Sequence, residues 1–369
     1  LKNEYFCSRM SKSQYIFNPD TDLALADGDE NYIPPYSATK MAKDLASLPR
    51  WYDIEDSRAV IPWGWNPALI KKLKAQGIAP DLLPDKEKME RIRQLSHRSL
   101  SVHLQKELLT SNEYCGSAME FSSEQALQSF VESHTSTILK APWSGSGKGL
   151  LFCHGEFTNP VRQWCKKILD KQKSIIGEIA YNKVKDFAME FYADSNGTVS
   201  FAGYSAFYTD KWGAYKGNLL ASNQKIIEML TGYISLSTLS ALQDKLVSLL
   251  TSHIGKHYQG YLGVDMMVCN FPEQPFYRIH PCVEINLRMN MGMVARIIYD
   301  RHLSANSTGV FIIDYHADSS ELQKDHESKL HTYPLVKDGK GKITSGYLAL
   351  TPIFATTNYR AYILCNNTI

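Results

Sequence analysis

The sequence lacks long apolar runs and an excess of charge of either sign. Its 369 residues contain 40 Lys and Arg against 38 Asp and Glu, a formal net charge of +2. No global field therefore favours nucleic acid or an anionic membrane as a partner. The longest apolar runs, such as the VFII before Asp314, are far too short to span a bilayer. We expect a protein that binds neither nucleic acid nor a membrane.

The sequence also lacks paired cysteines and an apolar leader. Its seven cysteines are scattered without a CxxC pair, and this odd number in a chain of this length argues against a disulfide framework. The first residues, LKNEYFCSRM, carry charges where a signal peptide needs an apolar stretch. These features favour a reducing, cytoplasmic location, with residues 1–13 as a loose tail.

The sequence contains neither an internal repeat nor a low-complexity linker. We therefore predict the domain boundaries from the order of the predicted helices and strands. Strands predicted at 14–17, 59–62 and 78–83 alternate with helices, which is typical of a small parallel α/β lobe. The middle and the end favour α+β structure with antiparallel sheets. The predicted divisions are the tail at 1–13, the α/β lobe at 14–112, two segments at 113–180 and 181–305, and a β-rich extension at 306–369.

The first candidate site is a glycine-rich turn between two predicted strands, in the segment ILKAPWSGSGKGLLF. Gly145, Gly147 and Gly149 leave backbone N–H groups open to phosphate oxygens, and Lys140 and Lys148 add positive charge. The spacing matches neither a Walker A loop nor a dinucleotide fingerprint, and no protein-kinase HRD or DFG motif follows. The turn indicates phosphate binding, with a plain hairpin loop and a solvated lysine as the alternative.

The second candidate site is a predicted strand in the segment YRIHPCVEINLRMNMG. Alternate residues of a strand share a face, so one face is predicted to carry His280, Cys282, Glu284, Asn286 and Arg288. The apolar residues between them would face a core. Glutamate and asparagine oxygens are hard ligands suited to Mg²⁺ that bridges phosphates. An arginine at the end of the row is suited to a transferring phosphoryl group.

Asp265 lies between hydrophobic residues in the predicted strand GYLGVDMMV. A buried carboxylate needs a partner, because burying it unpaired is costly. We predict a metal ion that Asp265 shares with Glu284 and Asn286. A salt bridge to Arg278 or Arg288 is the alternative.

Together these segments resemble the ATP-grasp superfamily, from about Arg98 to Gly292. The resemblance rests on the Lys140 strand before the glycine-rich turn, the strand IIGEIA, the strand VDMMV and the motif EINLR. It implies α/β and α+β architecture: a small parallel α/β lobe, a lid subdomain at 113–180 that carries the glycine-rich turn, and an antiparallel metal-binding subdomain at 181–305. Gly263 departs from the family pattern, which often has arginine two residues before the first metal-binding aspartate.

The resemblance also implies roles for individual residues. The nucleotide would contact Arg98, Lys140, Ser146, Gly147, Lys148, Glu178, Ala180 and Asp186, with Glu178 and the backbone through Ala180 at the adenine and Asp186 at the ribose. One or two Mg²⁺ ions, with Mn²⁺ as an alternative, would be held by Asp265, Glu284 and Asn286. The catalytic cations would be Arg288, Lys148 and Lys216.

The implied chemistry is transfer of a phosphoryl group from ATP to a carboxylate, followed by attack of an amine or similar nucleophile on the acyl-phosphate. A phosphotransferase and a non-catalytic nucleotide-binding module are alternatives. A zinc hydrolase that uses His280, Cys282 and Glu284 is a more remote one. Related folds are often dimers, so a homodimer is also an open alternative.

The predicted loop NPDTDLALADGDENYIPP follows the first strand and is polar and acidic. Ligands of open α/β sheets bind beyond the carboxyl ends of strands. Asn18, Asp20, Asp22 and Tyr32 are therefore candidates to recognise an amine-bearing substrate. The alternative is an ordered surface loop in which Asp and Asn serve as caps.

Overall fold

The computed structural model describes residues 13–53, 58–145, 149–210 and 213–367, in which helices pack around three sheets. The helices are α1 (Thr21–Asp27), α2 (Tyr36–Asp44), α3 (Pro67–Ala75), α4 (Lys86–Leu95), α5 (Ser99–Leu108), α6 (Glu124–Glu132), α7 (Asn159–Gln172), α8 (Asn223–Thr231), α9 (Leu236–Leu250), α10 (Met291–His302) and α11 (Ser319–Thr332). The strands are β1 (Gln14–Ile16), β2 (Val60–Pro62), β3 (Ala118–Phe121), β4 (Thr137–Lys140), β5 (Leu150–Cys153), β6 (Ile175–Ile179), β7 (Lys183–Ala193), β8 (Val199–Thr209), β9 (Tyr215–Leu220), β10 (Gly260–Asn270), β11 (Tyr277–Asn286), β12 (Ser307–Tyr315), β13 (Val336–Lys337), β14 (Ile343–Ala349) and β15 (Tyr359–Asn367). Short 3₁₀ turns lie at Leu48–Trp51 and Pro80–Leu82, and a π-helical turn at Thr251–Gly255.

The largest sheet has nine strands in the order β11-β10-β7-β8-β9-β12-β15-β14-β13, and its paired strands are antiparallel. Residues alternate between its faces. Phe187, Met189 and Phe191 of β7 pack into an apolar core with α8 and α9, while α10 covers part of the opposite face. The pairing of β9 with β12 carries the strands after residue 306 into the same sheet.

A second sheet has four strands in the order β3-β6-β4-β5, and α6 and α7 contribute to its apolar core. The glycine-rich turn joins β4 to β5, as the sequence predicts. Ser123 caps the N-terminus of α6, because its side chain accepts a hydrogen bond from the Ala126 N–H. This sheet covers residues 118–179, and the proposed lid boundaries at 113 and 180 remain predictions.

Within its described residues the N-terminal lobe contains one strand pair, the parallel β1 and β2, so the predicted third strand at 78–83 is wrong. That segment instead makes the turn Pro80–Leu82. Pro80 has no N–H to donate to a strand ladder, and Leu83 is the apolar residue that anchors the turn in the core. The helix α3 begins at Pro67 and is capped by Asn66, whose side chain accepts a hydrogen bond from the Leu69 N–H.

Part of the loop predicted after β1 is the helix α1, which ends at Gly28 with φ 75°. The Thr21 hydroxyl donates to the Gly64 carbonyl oxygen at 2.8 Å. A Cβ on Gly64 would lie 2.5 Å from Thr21 Cγ2, so only glycine permits this approach. The contact fixes α1 beside the turn that follows β2.

The predicted fold class is confirmed: a small parallel α/β unit is combined with two antiparallel sheets. The extension contains the unpredicted helix α11 in addition to its strands. Within the described part of the chain, no helix has the length and apolarity that a membrane crossing requires.

Candidate active site

A cavity of about 590 Å³ lies against the nine-stranded sheet, on the face opposite α8 and α9. One end is formed by the four-stranded sheet and the β6–β7 connection, including Ile138, Lys140, Phe152, Glu178, Ala180 and Asp186. The other end is formed by the N-terminal lobe and the strands β12 and β15, including Asp20, Asp22, Met41, Trp63, Asp314, Tyr315 and Tyr359. Asp265, Glu284, Asn286 and Arg288 line the sheet face of the same cavity. Residues from both predicted sites therefore share one space.

The predicted metal ligands lie together on two paired strands. Asp265 of β10 is directly opposite Glu284 of β11, and the Asn286 side-chain amide donates to Asp265 Oδ2 at 3.0 Å. Burial and the neighbouring Glu284 carboxylate raise the pKa of Asp265 to about 8. Two acidic groups and an amide oxygen, all partly buried on the cavity wall, are hard donors whose charge a divalent cation would balance. These residues therefore fit Mg²⁺.

The strand β11 does not alternate as the sequence predicts. Its register with β10 shifts between the pairs Asp265–Glu284 and Met267–His280, which marks a β-bulge. The bulge places Cys282 in the apolar core with Ile285. Burial raises the pKa of this thiol to about 12. The prediction that Cys282 shares a face with Glu284 is therefore wrong, and the zinc-hydrolase alternative loses one of its three ligands.

Arg98 connects the metal strand to the glycine-rich turn. Its guanidinium lies 2.7 Å from Glu284 Oε2 and donates to the Ala141 carbonyl oxygen at 2.5 Å and to Ser144 Oγ at 2.6 Å. The side chain is buried and lines the cavity. Its position orients Glu284 and the start of the turn, and its contact with the nucleotide remains a prediction.

Arg288 is paired with Asp22 rather than with Asp265. Its Nε and Nη2 donate to Asp22 Oδ2 at 3.1 and 2.8 Å, and Nε also lies 3.0 Å from Oδ1. Nη1 donates to the Met289 carbonyl oxygen at 3.2 Å. The other arginine proposed as a partner for Asp265, Arg278, lies over the Phe271 ring at 4.2 Å. The strand end is thus joined to α1 of the N-terminal lobe.

Lys140 and Glu178 form a buried ion pair at the small-sheet end of the cavity. Lys140 Nζ lies 2.7 Å from Glu178 Oε2, and His280 Nε2 lies 3.2 Å from Glu178 Oε1. Burial by itself would raise the pKa of Glu178, but the Lys140 ammonium and His280 outweigh it and lower the value to about 2. Together with His280, the pair connects β4, β6 and β11. Lys140 and Glu178 both line the cavity.

Asp186, predicted to bind the ribose, also lines the cavity. Its Oδ2 accepts hydrogen bonds from Lys183 Nζ at 2.5 Å and from Thr209 Oγ1 at 2.9 Å. Sequence reasoning missed Lys183 and Thr209, although both line the cavity beside the predicted acid. Ala180 lies on the same wall, so the residues predicted around the adenosine are brought together.

One predicted catalytic cation, Lys216, stands apart from this group. Lys216 lies in the strand β9. Its side chain is 60% exposed, and its Nζ lies 3.3 Å from Asp210 Oδ2. It is not among the cavity-lining residues. Ser146, Gly147 and Lys148, predicted to cover the nucleotide phosphates, lie outside the described residues. A catalytic role for Lys216 or Lys148 remains a prediction.

The four residues predicted for an amine substrate separate into two groups. Asp20 and Asp22 line the cavity, whereas Asn18 and Tyr32 do not. The Asn18 amide donates to Thr21 Oγ1 and to the Gly64 carbonyl oxygen, so it stabilises the turn into α1. This is a structural role, but not a helix cap, because no side chain caps the N-terminus of α1.

Glu190 is a cavity residue that sequence reasoning missed. It accepts hydrogen bonds from Asn290 Nδ2 at 2.8 Å and Ser205 Oγ at 3.0 Å, and burial raises its pKa to about 7. The signal was present, because Asp186 and Glu190 lie four residues apart in one strand and so share a face. A Cβ on Gly263 would lie 2.6 Å from both Glu190 Oε2 and Asn290 Nδ2, so these two groups occupy the space that a side chain at position 263 would need.

Solved structures resemble this chain at low sequence identity. A biotin carboxylase from Campylobacter jejuni, solved as a β,γ-ATP complex, has a TM-score of 0.51 and 12% identity, with 84% of this chain and 71% of that chain covered. An N5-carboxyaminoimidazole ribonucleotide synthetase, solved as an ADP complex, has a TM-score of 0.50 and 12% identity, with 96% and 92% covered. A Rhizobium etli pyruvate carboxylase has a TM-score of 0.51 and 12% identity, with 96% and 33% covered. No protein-family model and no curated protein matches the chain.

Proposed function

Because the chain has the ATP-grasp fold, we propose that it is a Mg-ATP-dependent ligase that activates a carboxylate as an acyl-phosphate and joins it to an amine. One observation carries the proposal. A single cavity is lined by the Lys140–Glu178 pair at one end, by the acidic pair Asp265 and Glu284 on the sheet, and by Arg288 beyond them. This order suits a nucleotide that lies along the sheet with its phosphates toward Arg288.

At the end of the cavity formed by the four-stranded sheet, three kinds of side chain are suited to bind a nucleotide. Ile138 and Phe152 offer apolar surface to a base, Asp186 offers a carboxylate to ribose hydroxyls, and Lys140 offers positive charge. The structural neighbours solved with ADP and with β,γ-ATP support a nucleotide as the ligand. Binding of ATP here would place its phosphates beside the hard oxygen donors on β10 and β11.

Mg²⁺ would be held by Asp265, Glu284 and Asn286, and Mn²⁺ suits the same oxygen donors. A bound divalent ion supplies positive charge to the phosphate oxygens during phosphoryl transfer. The chain itself orients two of these ligands. Arg98 pairs with Glu284, and the amide of Asn286 donates to Asp265. Fixed ligands reduce the reorganisation needed when charge moves.

Arg288 would contact the phosphoryl group in transit. An arginine has five N–H donors, and the contacts with Asp22 and Met289 use three of them. The two that remain, one on Nη1 and one on Nη2, are suited to phosphoryl oxygens. In the proposed reaction the substrate carboxylate attacks the γ-phosphorus and ADP leaves. The amine nitrogen then attacks the acyl carbon, phosphate leaves and the nitrogen loses a proton.

The far end of the cavity would bind the amine substrate. Trp63, Tyr315 and Tyr359 offer aromatic surface there, and Asp20 supplies a carboxylate. Burial raises the pKa of Asp20, although the Lys72 ammonium acts in the opposite direction. A substrate ammonium beside Asp20 would further favour its ionised form. The end therefore suits an amine that carries an apolar or aromatic body.

The proposal is tested by measuring ADP released from Mg-ATP with pools of small carboxylates and amines, with wild type beside Glu284→Gln. At least one pool should stimulate ADP release, and the variant should reduce the rate by about 10²-fold or more, since a metal ligand is lost. Glu273→Gln makes the same change at an exposed residue of the β10–β11 connection and should retain the wild-type rate. Stimulated turnover that survives Glu284→Gln would contradict the assigned site, and failure of the protein to bind ATP would contradict the function.

A further inference from the structure

A second cluster of metal-binding side chains lies outside the cavity, on α5 and the π-helical turn after α9. His103 and Glu107 are four residues apart on α5 and therefore share one face of the helix. His253 lies in the turn Thr251–Gly255. His103 Nε2 and His253 Nε2 lie 3.2 and 3.4 Å from the same oxygen, Glu107 Oε1. None of the three residues lines the cavity.

Two of the three spacings among these atoms match those of ligands around one small ion. Ligand atoms on a tetrahedral zinc lie about 3.3 Å apart when each bond is about 2.0–2.1 Å long. Both measured nitrogen–oxygen distances agree with this edge, and the three ligand atoms all lie within 4.8 Å of one another. The two imidazole rings have centroids 5.2 Å apart with an interplanar angle of 75°, so they approach the shared oxygen from different directions.

The second group of this kind in the described part of the chain provides a contrast. It comprises Asp314, His316 and Asp325. There the Arg360 guanidinium already supplies the positive charge, at 2.5 Å from Asp314 and 2.6 Å from Asp325. The cluster of His103, Glu107 and His253 contains two imidazoles and one carboxylate, and no arginine among the described residues forms an ion pair with its carboxylate.

We propose that His103, Glu107 and His253 bind a transition-metal ion of the Zn²⁺ class, with water as the fourth ligand. Two histidines and one glutamate are an established donor set for zinc, whereas Mg²⁺ prefers oxygen ligands alone. The half-exposed position gives the ion direct access from solvent. This site is separate from the proposed nucleotide site and stands without it.

The ion would connect α5 to the end of α9. The opposite face of α5 contacts β11, where Ser101 Oγ accepts from the Ile285 N–H and Gln105 contacts His280. Arg98, at the start of α5, pairs with Glu284. A metal on the outer face of α5 would therefore stabilise the helix that supports the metal strand of the cavity.

Titration of the full chain with Co²⁺ in saturating Mg²⁺ tests the site, because tetrahedral Co²⁺ absorbs visible light strongly while octahedral Co²⁺ does not. We expect one equivalent to give a tetrahedral spectrum that Zn²⁺ displaces. His103→Ala and His253→Ala should each weaken Co²⁺ binding at least tenfold, whereas His154→Ala, at an exposed histidine just after β5, should leave it unchanged. Glu284→Gln should also leave it unchanged, which separates this site from the cavity.

A thermal melt gives an independent readout. Zn²⁺ at about a hundredfold excess over its dissociation constant should raise the melting temperature of wild type by about 3–5 °C, and should not raise that of the folded His253→Ala protein. A tetrahedral spectrum that forms with wild-type affinity for Co²⁺ in both histidine variants would overturn the assignment. So would the lack of any tetrahedral spectrum in the wild type.

Discussion

The Asp22 carboxylate accepts hydrogen bonds from two nitrogens of the Arg288 guanidinium, which lies 266 positions later in the sequence. Nη2 lies 2.8 Å from Oδ2, and Nε lies 3.0 Å from Oδ1. Both side chains are largely buried. A Cβ on Gly145 would lie 2.4 Å from Asp22 Oδ2, so the start of the glycine-rich turn touches the same carboxylate. Asp22 therefore orients Arg288 at the point where the N-terminal lobe, the turn and the metal strand meet.

Asp22→Asn should lower kcat by about 10–100-fold, because a displaced Arg288 no longer aligns with the phosphoryl group. The KM for ATP should change by less than about threefold, since the nucleotide is held mainly elsewhere. Steady-state kinetics checks both values. The matched control is Asp27→Asn at the other end of α1, where the exposed pair with Lys171 is expected to contribute little. An unchanged kcat in Asp22→Asn would show that Arg288 needs no orientation from α1.

The lowered pKa of Glu178 predicts a pH-dependent contribution to stability. The folded-state pKa of about 2 lies below the ordinary value of 4.5, so the stabilisation is present above pH 4.5 and is lost as the pH falls through 4.5 toward 2. At pH 6 the free energy of unfolding of Glu178→Gln should be lower than that of wild type by about 3 kcal/mol.

Urea unfolding between pH 6 and pH 2.5 measures this difference, which should shrink as the pH falls. Glu156→Gln changes an exposed glutamate and should stay close to wild type throughout. A difference between wild type and Glu178→Gln that is constant with pH would show that the Lys140 and His280 contacts do not lower this pKa.

Gly263 should tolerate no side chain. A Cβ there would lie 2.6 Å from Glu190 Oε2 and Asn290 Nδ2, so Gly263→Ala should lower the free energy of unfolding by about 1–3 kcal/mol through overpacking. Gly339→Ala, where a Cβ meets nothing within 4 Å, is the control in the same urea assay. Adding Glu190→Ala to Gly263→Ala should recover part of the loss. Additive effects of the two changes would contradict the steric account.

Asp20 should determine affinity for the amine substrate. Removing a charged hydrogen-bond acceptor typically costs about 1.5–3 kcal/mol, so Asp20→Asn should raise the KM for the amine by about 10–100-fold while the KM for ATP stays constant. Initial rates with each substrate varied in turn provide the test. Asp81→Asn, at an exposed position, should change neither constant. A KM for the amine that is unchanged in Asp20→Asn would place the amine elsewhere in the cavity.

The parts of the site that sequence could predict depend on local periodicity. Alternation within one strand correctly brought Glu284 and Asn286 to the same wall, and the same rule applied to β7 would have found Glu190. The β-bulge before Glu284 broke the rule for Cys282. A bulge depends on the partner strand, so a single strand read alone does not reveal it.

Local sequence patterns also do not predict contacts between segments that are distant in the sequence. The contact of Asp22 with Arg288 and the pairing of β9 with β12 join distant segments. The sequence predicts a loop where α1 lies, because the segment is short and acidic and its N-cap residue Asp20 makes no capping hydrogen bond from its side chain. Its position is instead stabilised by the contact of Thr21 with Gly64.

The most direct test of the ligase account is to trap the acyl-phosphate with hydroxylamine. Wild-type protein, Mg-ATP and a carboxylate that stimulates ADP release are incubated with hydroxylamine in place of the amine, and hydroxamate and ADP are both measured. If the protein is a ligase, hydroxamate and ADP should form in equal amounts, and Glu284→Gln should form neither. ADP formation with a stable phosphorylated product and no hydroxamate would contradict the ligase and indicate a phosphotransferase.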